Sequence, residues 1–262
     1  MIKAFINNQW ESIPEENLQL GAETFAYETG LYETFRTLDH RPVFLEPHLD
    51  RLFKSAQITG LKIQYARFEI LEMIELVISE FPDPNQRVRI LAVPGKIIVY
   101  TSSLNLDPSI YKGVSAITVK GLRETPIVKT TNYEVCLQSW EKAESAGCFE
   151  AILIDEEGFI LEGSRSNIFW VKDGNLMTRI GDVLPGVTRQ TVITNSSVPV
   201  SFGKLNQNEI AGLDELFLTN SGSGIIPITF VNELKIGDEQ VGPITSELHH
   251  HYQKWILINI SK

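Results

Sequence analysis

The fold of this chain is decided by residues 152–170, which read ILIDEEGFILEGSRSNIFW. Three apolar runs predict short strands, at Phe149–Ile154, Phe159–Leu161 and Ile168–Val171. Gly158 lies in a tight turn between the first two strands, and a polar turn at residues 163–167 separates the last two. The stretch therefore predicts neighbouring antiparallel strands, with the carboxylate of Glu162 at the end of the second.

The sequence on both sides of this stretch continues the pattern. Further strands are predicted at Val114–Val119, Leu216–Thr219 and Ile225–Val231. Helices are predicted at Tyr133–Ala146, at Val187–Asn195, near Glu209, and from Thr245 to about Asn259. The second half of the chain thus predicts a mostly antiparallel sheet or barrel that helices interrupt.

The first half predicts a smaller α+β arrangement. Its strands are predicted at Ile2–Ile6, Tyr32–Leu38, Arg87–Val93 and Lys96–Thr101. Two helices are predicted: the first begins at Pro47, and the second covers residues 68–78. The polar, turn-rich string LNLDPSIYKG at residues 104–113 is typical of a linker. We therefore predict a small N-terminal domain at residues 1–108 and a larger, β-rich domain at residues 109–262.

Composition and charge argue against several classes of protein. The chain has 23 Lys+Arg against 33 Asp+Glu, a formal net charge of −10, whereas a nucleic-acid partner requires a basic patch. No stretch approaches the roughly 18 apolar residues of a membrane span, and the N-terminus lacks an apolar signal region. The five histidines and two cysteines do not stand at metal-ligand spacing. We expect a cytoplasmic protein with no metal, membrane or nucleic-acid partner.

A lysine and a carboxylate are the first candidates for chemistry. Lys129 lies in PIVKTTNY, just ahead of the helix predicted at Tyr133, and could form a Schiff base if desolvation lowered its pKa. The alternative is a solvated loop lysine. Glu162 could keep a pyridine nitrogen protonated, or it could simply face water at a strand end. Both interpretations stay open for each residue.

Three further segments offer groups that suit a phosphate. In LPGVTRQ, residues 184–190, the backbone N–H groups of Val187 and Thr188 open a helix, where anions bind readily. In FLTNSGSGIIP, residues 217–227, a loop of small residues offers Ser221. Arg51, in FLEPHLDRL, would add a cation; Leu45, Leu49 and Leu52 form the packed side of its helix, and Arg51 is predicted on another face. Each segment could equally be an ordinary helix start, connection or surface arginine.

The order of these motifs resembles the class IV aminotransferase family, the fold type IV pyridoxal-phosphate enzymes. The resemblance rests on FLEPHLDRL, then KTTNY, then the string from Asp155 to Asn167, then LPGVTRQ, and it runs over nearly the whole chain. It implies a two-domain α+β fold, with a small N-terminal domain, a larger barrel-like C-terminal domain and a cofactor cleft between them. It also implies pyridoxal 5'-phosphate as the cofactor and a homodimer as the assembly.

The resemblance implies a role for each candidate residue. Lys129 resembles the Schiff-base lysine and Glu162 the partner of the pyridine nitrogen. Arg51, Val187, Thr188 and Ser221 resemble phosphate ligands, and Tyr133 resembles a tyrosine near the phenolic oxygen. On the substrate side the resemblance points to Tyr32, Arg36 and Arg89, with Arg123 as a further cation.

The implied activity is transamination of α-amino acids, of the branched-chain type, through Lys129. One alternative is an aminodeoxychorismate lyase that releases pyruvate and 4-aminobenzoate, which the short turn at Pro94–Gly95 favours slightly. Another is a homologue that binds pyridoxal phosphate without turnover. The presence of both Lys129 and Glu162 in register argues against the last. The substrate and its stereochemistry are left open by the sequence.

Overall fold

A computed structural model describes residues 1–261 of the chain. These residues form two compact units. The first consists of residues 1–105, 128–134 and 258–261, and the second of residues 106–127 and 135–257. The short segment that carries Lys129 therefore belongs to the first unit, although the chain on either side of it belongs to the second.

The first unit contains a six-stranded antiparallel sheet and two helices. The strands are β1 (Ile2–Ile6), β2 (Gln9–Ile13), β3 (Leu31–Leu38), β4 (Arg41–Pro42), β5 (Gln86–Val93) and β6 (Lys96–Ser103), in the order β2-β1-β6-β5-β3-β4. The helices are α1 (Leu45–Thr59) and α2 (Arg67–Ser79). All predicted strands and helices of this half are present.

Local sequence explains the turns of this sheet and one difference from the prediction. Asp39 and His40, with φ of 53° and 59°, form the left-handed pair that a two-residue hairpin requires. Helix α1 begins at Leu45, before the predicted start at Pro47. A proline is tolerated there because the first N–H groups of a helix have no partner within it.

The two faces of β3 serve different purposes. Leu31, Glu33 and Phe35 are spaced two residues apart and lie on one face of the strand. On that face, Leu31 and Phe35 join the core that α1 and α2 cover. Tyr32 lies on the opposite face, in a second cluster that includes Leu91. Glu33 is therefore a charged residue on the core face of a buried strand, and a charge in that position requires partners.

Residues near the end of the described chain complete the first unit. The backbone N–H of Phe44, which precedes α1, donates to Asn259 Oδ1 at 2.7 Å. Arg41 Nη1 donates to the backbone oxygen of Ile260 at 3.0 Å. These bonds connect residues 258–261 to the hairpin and helix start formed by β3, β4 and α1.

The second unit contains a nine-stranded mixed sheet. Its strands are β7 (Val114–Lys120), β8 (Glu150–Ile154), β9 (Ile160–Gly163), β10 (Asn167–Lys172), β11 (Asn175–Arg179), β12 (Val200–Gly203), β13 (Glu215–Asn220), β14 (Gly224–Val231) and β15 (Leu234–Lys235). The order is β12-β11-β10-β13-β14-β7-β8-β9, and β15 pairs with β14. The remaining helices are α3 (Glu134–Ser145), α4 (Val187–Asn195) and α5 (Pro243–Ile260).

Three pairings in this sheet are parallel, namely β7 with β8, β14 with β7, and β11 with β12. The other pairings are antiparallel, as predicted. Helix α3 connects β7 to β8 and helix α4 lies between β11 and β12, so these two pairs follow the rule that parallel neighbours need a crossover connection. The helix predicted near Glu209 is a 3-10 helix, Gln207–Gly212. Within residues 1–261, no helix has the length and apolar character that crossing a membrane would require.

Candidate active site

Lys129 lies beside the start of β3 in the first unit. Its backbone oxygen accepts a hydrogen bond from Tyr32 N at 3.0 Å, and Thr131 N donates to Gly30 O at 2.9 Å. The half-buried side chain places Nζ 4.3 Å from the centroid of the Tyr32 ring. The Tyr32 ring in turn meets Tyr133 edge-to-face, with centroids 5.9 Å apart. Three of the predicted site residues, Lys129, Tyr32 and Tyr133, are thus brought together.

A half-buried guanidinium approaches the same group of tyrosines. Arg89, on β5, has Nη1 3.4 Å from the hydroxyl of Tyr100, and its Nε has no hydrogen-bond partner among residues 1–261. Burial works against its charge, but interactions with the hydroxyls of Tyr100, Tyr32 and Tyr133 raise the pKa of Arg89. It therefore stays a cation, and none of the described carboxylates forms an ion pair with it. Such a group suits the carboxylate of a ligand.

Arg36 lies on β3, four residues after Tyr32. It is buried, and the alternation of side chains along the strand places it on the same face as Tyr32. Because side chains four residues apart point to the same side of a strand, the prediction that both belong to one site is consistent with their placement.

The surroundings of Arg51 exclude the alternative of an ordinary surface arginine. Arg51 is buried, and it donates from Nε to Glu33 Oε1 at 2.8 Å and from Nη2 to Glu33 Oε2 at 2.6 Å. His48 Nδ1 lies 2.7 Å from Glu33 Oε2. Residues three apart on a helix share a face, so His48 and Arg51 both reach β3. Arg51 is therefore part of a buried ionic group.

Burial and charge have opposite effects in this group. Burial alone would raise the pKa of Glu33, but Arg51 and His48 outweigh it and hold the pKa at about 2. Burial is the main reason that the pKa of His48 is lowered, helped by the charges of Arg51 and Lys129 and opposed by Glu33. His48 is therefore neutral, and since a carboxylate only accepts, its proton lies on Nδ1.

Glu162 is buried at the end of β9 in the second unit, where three donors hold its carboxylate. Arg123 Nη1 donates to Oε1 at 3.0 Å. Leu184 N donates to Oε2 at 3.0 Å, and Asn167 Nδ2 donates to Oε2 at 3.3 Å. Donors of this kind favour the ionised form of a carboxylate and fix its orientation. The strand-end glutamate facing water is thereby excluded.

The polar turn that follows Glu162 is organised around a second buried carboxylate. Glu150, on β8, accepts hydrogen bonds from the hydroxyls of Ser164 at 2.5 Å and Ser166 at 2.8 Å, and from Ala151 N at 2.9 Å. A side chain on Gly163 would overlap Ser166. The serines therefore serve Glu150, and these bonds fix the conformation of the turn.

Asn167 connects Glu162 to the start of α4. Its Nδ2, which donates to Glu162, also donates to Leu184 O at 2.9 Å, in the turn that leads into the helix. A Cβ at Gly186 would overlap Asn167 Oδ1, so a larger residue there would displace the amide. The carboxylate and the helix start are thus held at one fixed spacing.

The start of α4 offers donors for an anion. Gly186 is the N-cap, and none of the described side chains caps the helix, so the N–H groups of Val187 and Thr188 point out of its first turn. The Thr188 hydroxyl lies 3.3 Å from the hydroxyl of Tyr252 on α5. Backbone N–H groups and a neutral hydroxyl are the donors that a phosphate group takes. The residues present therefore fit a phosphate.

Ser221 lies in the turn between β13 and β14 and is half-buried. Ser223 N donates to Asn220 Oδ1 at 2.7 Å, and Gly224 has a φ of +81° that favours glycine. The ring of Tyr252 packs against Gly224. Within residues 1–261, no described bond joins Ser221 directly to Thr188. Tyr252 contacts both the start of α4, at Thr188, and the turn between β13 and β14, at Gly224.

Sequence reasoning missed Glu33, His48, Glu150 and Tyr252, and did not connect Asn167 to Leu184. One signal was available for Glu33: a glutamate between Leu31 and Phe35 on the core face of a strand requires a buried cation as a partner. The other contacts join residues far apart in the chain. Clusters of side chains able to hold a metal ion do not occur within residues 1–261.

Comparisons with known proteins identify the family that the chain resembles. The family model for amino-transferase class IV matches residues 30–231. A probable branched-chain-amino-acid aminotransferase from Thermotoga maritima is 29% identical over 242 residues, which cover 87% of this chain and 86% of the relative. A D-alanine aminotransferase from Staphylococcus epidermidis is 24% identical over 278 residues, covering 98% of each chain.

A solved structure shares the fold. It is a branched-chain amino acid aminotransferase complexed with N-(5'-phosphopyridoxyl)-L-glutamate, from the organism abbreviated T.th., with a TM-score of 0.83 and 24% sequence identity. The match covers 96% of this chain and 93% of that one. The predicted fold class, α+β of the fold type IV kind, is confirmed.

Proposed function

The chain belongs to the class IV aminotransferase family, and on that premise we propose that it transfers the amino group of branched-chain α-amino acids with pyridoxal 5'-phosphate as cofactor. It is an aminotransferase by family. The cofactor is supported by the phosphopyridoxyl ligand of the solved structure with the same fold and by the donor sets at Glu162 and at the start of α4. The substrate class is supported by the name of the Thermotoga maritima relative.

The observation that carries the proposal is the link between Glu162 and the start of α4 through Asn167 and Leu184. It joins a carboxylate held by three donors to an uncapped helix N-terminus. A phosphorylated pyridine has a basic nitrogen and a phosphate on one rigid ring, so it requires these two features at one spacing. A phosphate site alone would not require the carboxylate.

When bound, pyridoxal phosphate supplies a carbonyl carbon that accepts an amino group and a ring that accepts electrons from the substrate α-carbon. Lys129 would hold the cofactor through its amine and would move a proton away from the substrate α-carbon. The face of the Tyr32 ring limits the positions that Nζ can adopt. Tyr133 lies against Tyr32 and is proposed to approach the phenolic oxygen.

Glu162 is proposed to hold a proton on the pyridine nitrogen. Its bonds to Arg123, Leu184 and Asn167 keep it ionised and aimed, so it does not need to reorient during turnover. The proposed phosphate ligands are Val187, Thr188, Ser221 and Arg51. The last of these would act with its geometry already fixed by Glu33.

Arg89 is proposed to bind the carboxylate of the substrate, with Tyr32 and Arg36 beside it. The supporting observation is a charged guanidinium among tyrosines without a described acidic partner. We also propose a cytoplasmic homodimer, in keeping with the family resemblance. The predicted cleft and the domain boundaries at residues 108 and 109 stay predictions.

The test compares the purified wild-type protein with Lys129→Ala and with the matched control Lys54→Ala, which alters an exposed lysine of α1. Each protein is mixed with pyridoxal phosphate and scanned for absorbance. L-leucine, D-alanine and aminodeoxychorismate are then added separately, and 2-oxo acid and pyruvate are measured. We expect the wild type and Lys54→Ala to bind the cofactor and to release the 2-oxo acid of L-leucine, and Lys129→Ala to do neither at a comparable rate.

Other outcomes would change the assignment. Turnover of D-alanine alone would move the substrate class to that of the Staphylococcus epidermidis relative. Pyruvate and 4-aminobenzoate from aminodeoxychorismate, without transamination, would make the protein a lyase. Full activity of Lys129→Ala would remove Lys129 from the mechanism.

A further inference from the structure

Tyr252 is a buried residue of α5 that touches two of the elements proposed to hold the phosphate, the start of α4 and the turn between β13 and β14. Its hydroxyl lies 3.3 Å from Thr188 Oγ1, and its ring packs against Gly224, which ends the turn that contains Ser221. None of the motifs found in the sequence includes Tyr252. Its position nevertheless gives it a direct effect on the donors of this subsite.

We propose that Tyr252 is a positioning residue for the cofactor phosphate, acting by donating a hydrogen bond to Thr188 Oγ1. This inference rests on the proposed function, because it takes the Thr188 hydroxyl to be a phosphate ligand. The Tyr252 hydroxyl orients Thr188, and Thr188 bonds to the phosphate. Tyr252 itself is not a ligand.

The direction of the bond follows from counting hydrogens. A hydroxyl has one hydrogen to donate and two lone pairs to accept with. A phosphate dianion only accepts, so the single hydrogen of Thr188 must be directed to the phosphate. The contact between Thr188 and Tyr252 then has one compatible arrangement, in which Tyr252 is the donor. Without Tyr252 the Thr188 hydroxyl would be able to rotate toward other acceptors.

Tyr111 and helix α5 also fix the backbone of the turn between β13 and β14, which contains Ser221. Tyr111 donates to Ser223 O at 2.9 Å, and His249 Nδ1 lies 3.2 Å from Ile225 O. The rings of Tyr111 and His249 are 4.6 Å apart. Because His249 and Tyr252 lie one turn apart on α5, the same stretch of helix holds both sides of the proposed phosphate subsite.

The first test is Tyr252→Phe, which removes one oxygen and keeps the ring against Gly224. The bond is longer than the usual 2.7–2.8 Å of hydroxyl pairs, so its net contribution is modest. We expect the dissociation constant for pyridoxal phosphate, measured by absorbance titration of the cofactor-free full chain, to rise about threefold to tenfold. Pyridoxal, which has no phosphate, should bind wild type and variant equally.

A double-mutant cycle separates positioning from general loosening of the structure. In a Thr188→Val background, Tyr252→Phe should change the pyridoxal phosphate constant by less than about twofold, because the hydroxyl that it orients is gone. Tyr65→Phe, which alters a half-buried tyrosine of the first unit, is the matched control and should leave both constants unchanged. Thermal unfolding of each variant checks folding.

A second variant tests the direction of the bond and avoids the loss of the oxygen. Replacing Tyr252 with 3-fluorotyrosine keeps its shape and makes the hydroxyl a stronger donor, so pyridoxal phosphate should bind more tightly while pyridoxal is unaffected. Weaker binding would mean that Tyr252 accepts, which would overturn the proposal even if Tyr252→Phe does not fold.

The remaining outcomes are equally decisive. If the wild type binds pyridoxal phosphate but Tyr252→Phe binds it just as well, or loses pyridoxal equally, Tyr252 does not position the phosphate donor. The same conclusion would follow if Tyr252→Phe and Thr188→Val raised the dissociation constant for pyridoxal phosphate by independent factors that multiply in the double variant. If the wild type does not bind pyridoxal phosphate at all, the proposed function fails first and this inference fails with it.

Discussion

Arg51 on α1 and Glu33 on β3 form a two-pronged ionic bond inside the first unit, with Nε–Oε1 and Nη2–Oε2 distances of 2.8 and 2.6 Å. The same carboxylate also contacts His48, so a single buried anion fixes two side chains of one helix. A residue proposed to bind phosphate is thus oriented before any ligand arrives. This arrangement makes stability and cofactor binding depend on the same carboxylate.

Glu33→Gln is expected to lower stability in a pH-dependent way. The pKa of Glu33 is about 2 in the folded protein against an ordinary value of 4.5. The stabilisation is therefore complete above the ordinary pKa and is lost as the pH falls toward 2. It amounts to about 3 kcal/mol at neutral pH. Urea unfolding from pH 7 down to pH 3 should show a smaller pH dependence in the variant.

Glu46→Gln is the matched control for this change. Glu46 pairs with Arg67, but its side chain is 65% exposed, and exposed pairs contribute less than about 1 kcal/mol. Equal losses of stability in the two variants would mean that burial of Glu33 has no special effect.

His48→Gln is expected to make the stability of the protein less dependent on pH, in a pH range above the one in which Glu33 acts. The pKa of His48 is lowered from 6.5 mainly by burial, so the unfolded chain takes up a proton that the folded chain does not. Stability from this group is full above pH 6.5 and falls as the pH drops below it. Between about pH 7.5 and pH 5, a window around the ordinary histidine pKa, unfolding of the variant should be flatter than in the wild type. His250→Gln, on an exposed face of α5, should follow the wild type.

Glu162→Gln is expected to keep cofactor binding but to lower kcat at least about a hundredfold, because a neutral amide does not hold a proton on the pyridine nitrogen. The measurement is steady-state 2-oxo acid formation at saturating pyridoxal phosphate. Glu156→Gln, which alters an almost fully exposed carboxylate paired with Lys120, serves as the control. A Glu162→Gln enzyme with wild-type kcat would contradict the assigned role.

Arg89→Gln is expected to raise KM for the amino acid by about tenfold to a hundredfold, with a smaller change in kcat, because a charged partner of the substrate carboxylate is lost. Arg87, two residues earlier, lies on the exposed part of β5, so Arg87→Gln is a control on the same strand. If both variants raised KM equally, a general effect of positive charge would explain the result better than a specific contact.

The sequence was sufficient for most elements because their signals are local. The paired turn residues Asp39 and His40, and the glycine at 158, predicted hairpins that the structure contains. Strands β2, β11, β12 and β15 were missed, and for β12 the physical reason is plain. Val200–Gly203 has only four residues and is largely exposed, so its apolar alternation at Val200 and Phe202 is too short to identify a strand.

The candidate site also contains some residues with a local sequence signal and others without one. Lys129, Glu162 and the start of α4 stand in recognisable strings, but their partners do not. The burial of Arg51 depends on Glu33, and the hydroxyl at Thr188 depends on Tyr252. Such pairs are separated in sequence and joined by tertiary packing alone, which periodicity and turn chemistry do not report.

The bonds from Phe44 to Asn259 and from Arg41 to Ile260 have a consequence for the order of events during protein synthesis. Translation produces residues 258–261 after all of the second unit, so the first unit lacks two of its hydrogen-bond partners while the second is already available to fold. A nascent chain can therefore bury much of the α1–β3 core early, yet the hairpin beside α1 gains its last contacts only when those residues leave the ribosome. Ribosome-bound chains shorter than this therefore carry an unfinished first unit.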